Sequence, residues 1–261
     1  MEALLPVGFA LGMAGFVGAV LTSFGRLAVA RLPHQLGWRE DADPSLTLHA
    51  PPSHCEGCGS RIRARHLIPV LGWVLARGRC PDCGMRVSVA HPLMELLGGA
   101  GAAAMLAWFG LNGAGLAGAG LWLTLLFLAE IDWRETWLPT VVTQPLFWLG
   151  LIASPFAADA DARILGAFGG SAAMWSAMWL AGRWRGVDAM AGGDIALAAA
   201  AGAWLGIVRV PLFLLASALV FIAYALPARW RGRVWVPMGP ALALGWLAAL
   251  PWEGEAAWLP W

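Results

Sequence analysis

Two aspartates and four cysteines are the residues of this chain whose types and spacing could do chemistry. Asp132 closes the apolar run LTLLFLAEID, and Asp194 follows two glycines in MAGGD and opens the apolar run IALAAAAGAWLGIV. A carboxylate near a bilayer costs on the order of a few kcal/mol unless it is paired, wet or protonated, so each calls for an explanation. For Asp194 one explanation is a helix N-cap, with the carboxylate facing the positive end of the dipole. Asp132 lies near a predicted helix C-terminus, where the dipole disfavours an anion, so a solvated end or a partner such as Arg134 is the alternative. Brought together, two carboxylates cannot both ionise easily and share a proton. One can then take a proton from water while the other gives one to a substrate carbonyl. That chemistry is aspartyl hydrolysis, with acid and base left unassigned because coupled groups titrate as a pair.

The other acids divide by position. Glu95 and Glu130 fall inside predicted helices, and each needs a partner there. Asp188, between Arg185 and MAGGD, is a candidate partner for that arginine or a substrate-binding residue. Asp159 and Asp161 belong to an outer, solvated turn.

The cysteines form two CxxC pairs, Cys55 with Cys58 and Cys80 with Cys83, in one polar loop. Each pair can form a knuckle offering two thiolates, and two knuckles close a tetrahedral zinc site with no open position. Gly59 and Gly84, one residue past each pair, suit the tight backbone of such knuckles. Two disulfides or four free thiols are the alternatives, and a cytoplasmic setting argues against stable disulfides. The metal would be structural, because a loop of this size has too small a core to fold firmly alone. His54 stands beside a complete set of four cysteines and is read as a bystander.

The elements that must position these residues are membrane helices. Of 261 residues, 59% are hydrophobic and 13% charged, with a mean hydropathy of +0.67, whereas soluble domains carry roughly 25% charged residues. The chain reads as an all-α polytopic membrane protein. A net charge of +1 gives no basis for a nucleic-acid partner, and the lipid bilayer is the expected one. A share of the 17 tryptophans is expected at the two membrane interfaces. Eight apolar segments have spanning character, over 4–25, 92–111, 114–131, 137–157, 163–182, 193–208, 210–227 and 235–251. The first carries Glu2 in place of a basic n-region and is too long for a signal peptide, so it reads as a retained helix. The expected organisation is a first transmembrane helix (1–30), a cytoplasmic four-cysteine zinc-binding loop (31–90) and a transmembrane core (91–261). Arginine bias sets the orientation: with the N-terminus outside, the arginines of loop 31–90 and Arg134, Arg183, Arg185, Arg229, Arg231 and Arg233 are cytoplasmic, and only Arg163 and Arg209 fall clearly outside. Asp132 and Asp194 then share the cytoplasmic ends of the third and sixth helices.

Five blocks, in order and covering almost the whole chain, resemble the prepilin leader peptidases of type IV pilus and type II secretion systems, membrane aspartyl proteases of the GxGD type. TSFGRLAVARLP (22–33) is similar to the family's first block. HCEGCGSRIRARHLIPVLGWVLARGRCPDCGMRVSVAHPLMELL is similar to the two-knuckle loop and the start of the second helix, through Pro92 and Glu95. IDWRETWLP places Asp132, and MAGGDIALAAAAGAWLG places Asp194, where the family has its two catalytic aspartates. VPMGPALALG is similar to the last helix. The chain departs from the pattern at Thr22, Arg26, Leu67, Thr140 and Ala196, and at Ala191, which stands for the first glycine of GxGD.

The resemblance implies a bacterial inner-membrane aspartic endopeptidase, with its site facing the cytoplasm, that cuts the basic leader of prepilin-like proteins. It also implies N-methylation of the new N-terminus from S-adenosylmethionine. Gly192 and Gly193 would let the backbone approach an extended substrate. Two other readings are a proton-coupled transporter using Asp132 and Asp194, which predicts inverted repeats that the sequence does not display, and a peptidase-inactive methyltransferase or scaffold relative.

Overall fold

The computed structural model describes residues 4–186, 190–233 and 235–251. Among them the architecture is all-α, with no strand beyond two isolated bridges. The helices are α1 (Leu4–Gln35), α2 (Leu71–Leu75), α3 (Ala90–Phe109), α4 (Gly113–Glu135), α5 (Thr140–Ala153), α6 (Ala160–Arg185), α7 (Gly192–Leu205), α8 (Val210–Trp230) and α9 (Gly239–Ala248). Five segments, in α1, α3, α4, α6 and α8, are long and apolar enough to cross a membrane; α5, α7 and α9 are shorter apolar helices. Apart from α2, these helices follow the eight apolar segments of the sequence. The ends differ where backbone chemistry intervenes. Pro139 delays the start of α5, and Gly206, at φ +73°, ends α7 before 208. The Gly239–Pro240 step opens α9 four residues after the apolar run begins at 235.

The chain forms two compact units, Met1–Leu123 and Thr124–Trp261. In the first, α1 and α3 approach through small residues. A Cβ on Gly18 would meet Ala102 Cβ at 2.8 Å and Gly98 O at 3.0 Å, and Thr22 fills the space over Gly98. Apolar side chains gain little from leaving lipid for a neighbouring helix, so close backbone approach supplies the packing energy instead. Glu95, buried in α3, accepts the N–H of Val70 at 2.7 Å. The buried acid thus has its partner, and that partner tethers the cysteine loop to α3.

In the second unit α7 is central. Leu197, Ala198, Ala200, Ala201, Ala203, Trp204 and Leu205 are all buried, as expected of a helix apolar all round. Gly166 and Gly170 of α6 close on Gly202 and Ala198 of α7. The Trp204 indole donates to Leu146 O of α5 at 2.8 Å, and Ser154 Oγ donates to Trp204 O at 2.6 Å. With 14 and 10 residues, α7 and α9 extend about 21 and 15 Å, well short of the roughly 30 Å hydrocarbon core.

Candidate active site and metal centre

Asp132 sits in the last turn of α4 and is 5% exposed. Its Oδ2 accepts the backbone N–H of Gly239, the first residue of α9, at 2.6 Å. Arg134 does not serve as its ion-pair partner; it pairs with Glu130, one turn back, at 2.6 Å. Asp194 lies half-buried in the first turn of α7. It is not the N-cap: that position belongs to Ala191, whose side chain makes no cap hydrogen bond. The helix begins three residues earlier than a cap at Asp194 would require, because Gly192, Gly193 and Asp194 are themselves helical. The carboxylates of Asp132, from α4, and Asp194, from α7, lie within electrostatic reach of one another.

Local sequence explains the approach. Thr136, at φ +48°, turns the chain out of α4, and its N–H returns to Asp132 O at 2.8 Å. Leu138 and Pro139 then run buried against the start of α7, where a Cβ on Gly193 would meet Leu138 Cβ at 2.9 Å. Gly193 is thus the contact through which the TWLP and GGD segments meet. Gly192 has nothing within 4 Å of its missing Cβ and is exposed. Asp188 lies outside the described residues. Glu95 belongs to the first unit and the Val70 tether.

Two participants escaped sequence reasoning. Gly239 was visible only within VPMGP, as part of a last helix. Tyr224 of α8, the single tyrosine of the chain, is within electrostatic reach of both Asp132 and Asp194. Its hydroxyl donates to Pro237 O at 2.6 Å, and its ring stands edge-on to Trp133 at 5.9 Å. A lone tyrosine in a tryptophan-rich membrane protein was the available signal.

The four cysteines converge. Their Sγ atoms all lie within 4.8 Å of one another, with Cys55 and Cys83 at 3.8 Å and Cys58 and Cys80 at 4.0 Å. A tetrahedron of thiolates about 2.3 Å from zinc has an edge of about 3.8 Å, so the donor set fits that ion. Each knuckle has the same build. Cys55 N–H donates to Ser60 O and Gly59 N–H to Cys55 O; Cys80 N–H donates to Met85 O and Gly84 N–H to Cys80 O. Gly59 and Gly84 take φ of +70° and +75°, which a side chain would strain. Backbone N–H groups of Cys83 and Asp82 lower the Cys80 thiol to about 6, whereas the neighbouring thiols Cys58, Cys80 and Cys55, with burial, push Cys83 up to about 12. Cys80 thus ionises readily, and a metal would have to displace the proton of Cys83. The His54 ring lies 3.0 Å from Pro52 O.

Fold and site together define a polytopic helical membrane protein with two neighbouring acids in its second unit and a four-thiol cluster that could hold a metal ion in its first. Comparison with known proteins gives the family. The model of the bacterial peptidase A24 N-terminal domain matches residues 16–109, and that of the type IV leader peptidase family matches residues 119–226. The prepilin leader peptidase/N-methyltransferase of Burkholderia pseudomallei (strain 1026b) is 38% identical over 95% of this chain and 87% of its own length. The corresponding protein of Dickeya chrysanthemi is 37% identical, over 89% and 87%. The type 4 prepilin-like proteins leader peptide-processing enzyme of Escherichia coli O78:H11 is 35% identical, over 89% and 90%. This chain belongs to the type IV leader peptidase family. No solved structure matches it.

Proposed function

We propose that this protein is a prepilin leader peptidase that cuts the basic leader of prepilin-like proteins at the cytoplasmic face of the bacterial inner membrane. The observation that carries the reading is the convergence of Asp132 and Asp194, supported by the names of the family's members. One carboxylate takes a proton from water, and the resulting hydroxide equivalent attacks the scissile carbonyl carbon. The other carboxyl protonates the carbonyl oxygen. Collapse of the tetrahedral intermediate breaks the C–N bond, and the leaving amine takes up a proton from the pair. The exposed edge at Gly192 and its neighbour Gly193 is where an extended substrate backbone would approach. Asp188, just before this edge, is a candidate contact for the substrate.

The arginine distribution supports an N-terminus outside and a site facing the cytoplasm. With that orientation, the ends of α4 and α8 and the starts of α7 and α9 all lie on the cytoplasmic side. Cys55, Cys58, Cys80 and Cys83 would hold a structural zinc, which fixes the loop and supplies no step of the hydrolysis. The names of the relatives support a second activity, N-methylation of the new N-terminus from S-adenosylmethionine.

Co-expression with a candidate prepilin, followed by mass measurement of the product, tests cleavage and methylation together. Asp132→Asn and Asp194→Asn should each lower cleavage by at least about a hundredfold while the protein still accumulates in the membrane. Robust cleavage by either variant would sink the assignment.

A further inference from the structure

Resting on the aspartyl-peptidase reading above, we propose that Gly239 is a positioning residue for Asp132, and that Tyr224 braces it. Three observations converge. The Gly239 N–H holds Asp132 Oδ2 at 2.6 Å in a buried setting. The same residue cannot carry a side chain there, because a Cβ would lie 2.7 Å from Asp132 Oδ2, 2.8 Å from its Cβ and 3.0 Å from its Cγ. The chain leading into Gly239 is pinned at Pro237 O by the Tyr224 hydroxyl, 2.6 Å away.

The arrangement does more than pack. An N–H in the first turn of a helix has no intrahelical acceptor, and Pro240, the next residue, has no N–H to offer. The start of α9 therefore presents a directed donor, and Asp132 takes it. An oxygen that accepts an N–H is disfavoured as a site of protonation, since that hydrogen bond favours its unprotonated form and one of its two lone pairs is already engaged. The shared proton of the pair is thereby directed to Oδ1. Gly239 fixes which oxygen of Asp132 exchanges protons, and Tyr224 keeps α9 at the depth where this contact can form.

The test uses the full-length protein in detergent with a purified prepilin-like substrate. Wild type and Asp132→Asn are measured first. A wild type that does not cleave overturns the peptidase reading, and the positioning role falls with it. With cleavage established, Gly239→Ala should lower kcat by about a hundredfold, the scale of loss that follows displacement of a catalytic group by about an ångström, with KM unchanged. Tyr224→Phe, which removes only the hydroxyl and leaves the ring against Trp133 and Phe221, should lower kcat about tenfold, again at unchanged KM. Gly245→Ala is the control for packing damage in the same helix, since its Cβ would collide with Ser217 and Phe213 O, away from Asp132. It should lower thermal stability and leave the kcat of the folded protein unchanged. Wild-type kcat in Gly239→Ala, or a kcat loss that Gly245→Ala reproduces, overturns the positioning role while leaving the peptidase reading intact. Should Gly239→Ala fail to accumulate, Tyr224→Phe decides alone: a kcat loss at unchanged KM supports the role, and a wild-type kcat overturns it.

Discussion

A methyl group added at residue 193 would press on Leu138 Cβ at 2.9 Å, whereas one added at residue 192 would meet nothing within 4 Å. Adjacent glycines of one motif therefore differ in what they permit. Gly193→Ala should cost about 1–3 kcal/mol by overpacking and lower cleavage, because it pushes the TWLP segment away from the start of α7. Gly192→Ala should stay within about 0.5 kcal/mol of wild type. Thermal denaturation of the purified variants, beside a cleavage assay, measures both. Ala191 fits the same logic. The resemblance implies glycine there, but the residue takes φ −111° and ψ 99°, ordinary extended backbone, so its Cβ adds no strain. The aspartates stood out as candidates in the sequence because a carboxylate in an apolar run is costly unless partnered, and the cysteines because of their paired CxxC spacing. Gly239 was not, because its contribution is a backbone N–H, which every residue but proline carries and which leaves no mark in composition or spacing.

At the level of elements, the tether between Glu95 and Val70 joins the cysteine loop to α3. The sequence called for a partner to Glu95 without naming it, since the acceptor bond goes to a main-chain N–H 25 residues away. Val70 takes φ +62°, a conformation a β-branched residue adopts only when neighbours enforce it. Glu95→Ala should cost about 1–3 kcal/mol by orphaning that N–H and should speed metal loss to a chelator. Metal analysis of the wild type should find about one zinc per chain, falling as pH is lowered because protons compete for the thiolates. Cys58→Ser should reduce the zinc content and lower the loop's resistance to protease. A metal-free, fully folded preparation would reject zinc as the occupant. Helix ends were less legible than helix existence. The apolar run begins at 235, yet α9 waits for Gly239, because the start of a helix is set by capping and proline geometry and hydropathy does not report either.

For the whole molecule, the arginine bias predicts a topology that reporter fusions can read. A periplasm-active reporter fused in the turn at 110–112 should be active, and one fused in the loop at 36–60 should be silent, with the reverse for a cytoplasm-active reporter. The opposite pattern would remove the proposed site from the cytoplasmic face. Chain order adds a further consequence. The contact between Asp132 and Gly239 spans 107 positions, so the acid is synthesised and inserted long before the donor that holds it leaves the ribosome. Until α9 emerges, a nascent chain carries both aspartates without the clamp on Asp132. On the proposed reading, the acid pair is not held in its working arrangement until α9 has been made, so hydrolysis waits for that helix.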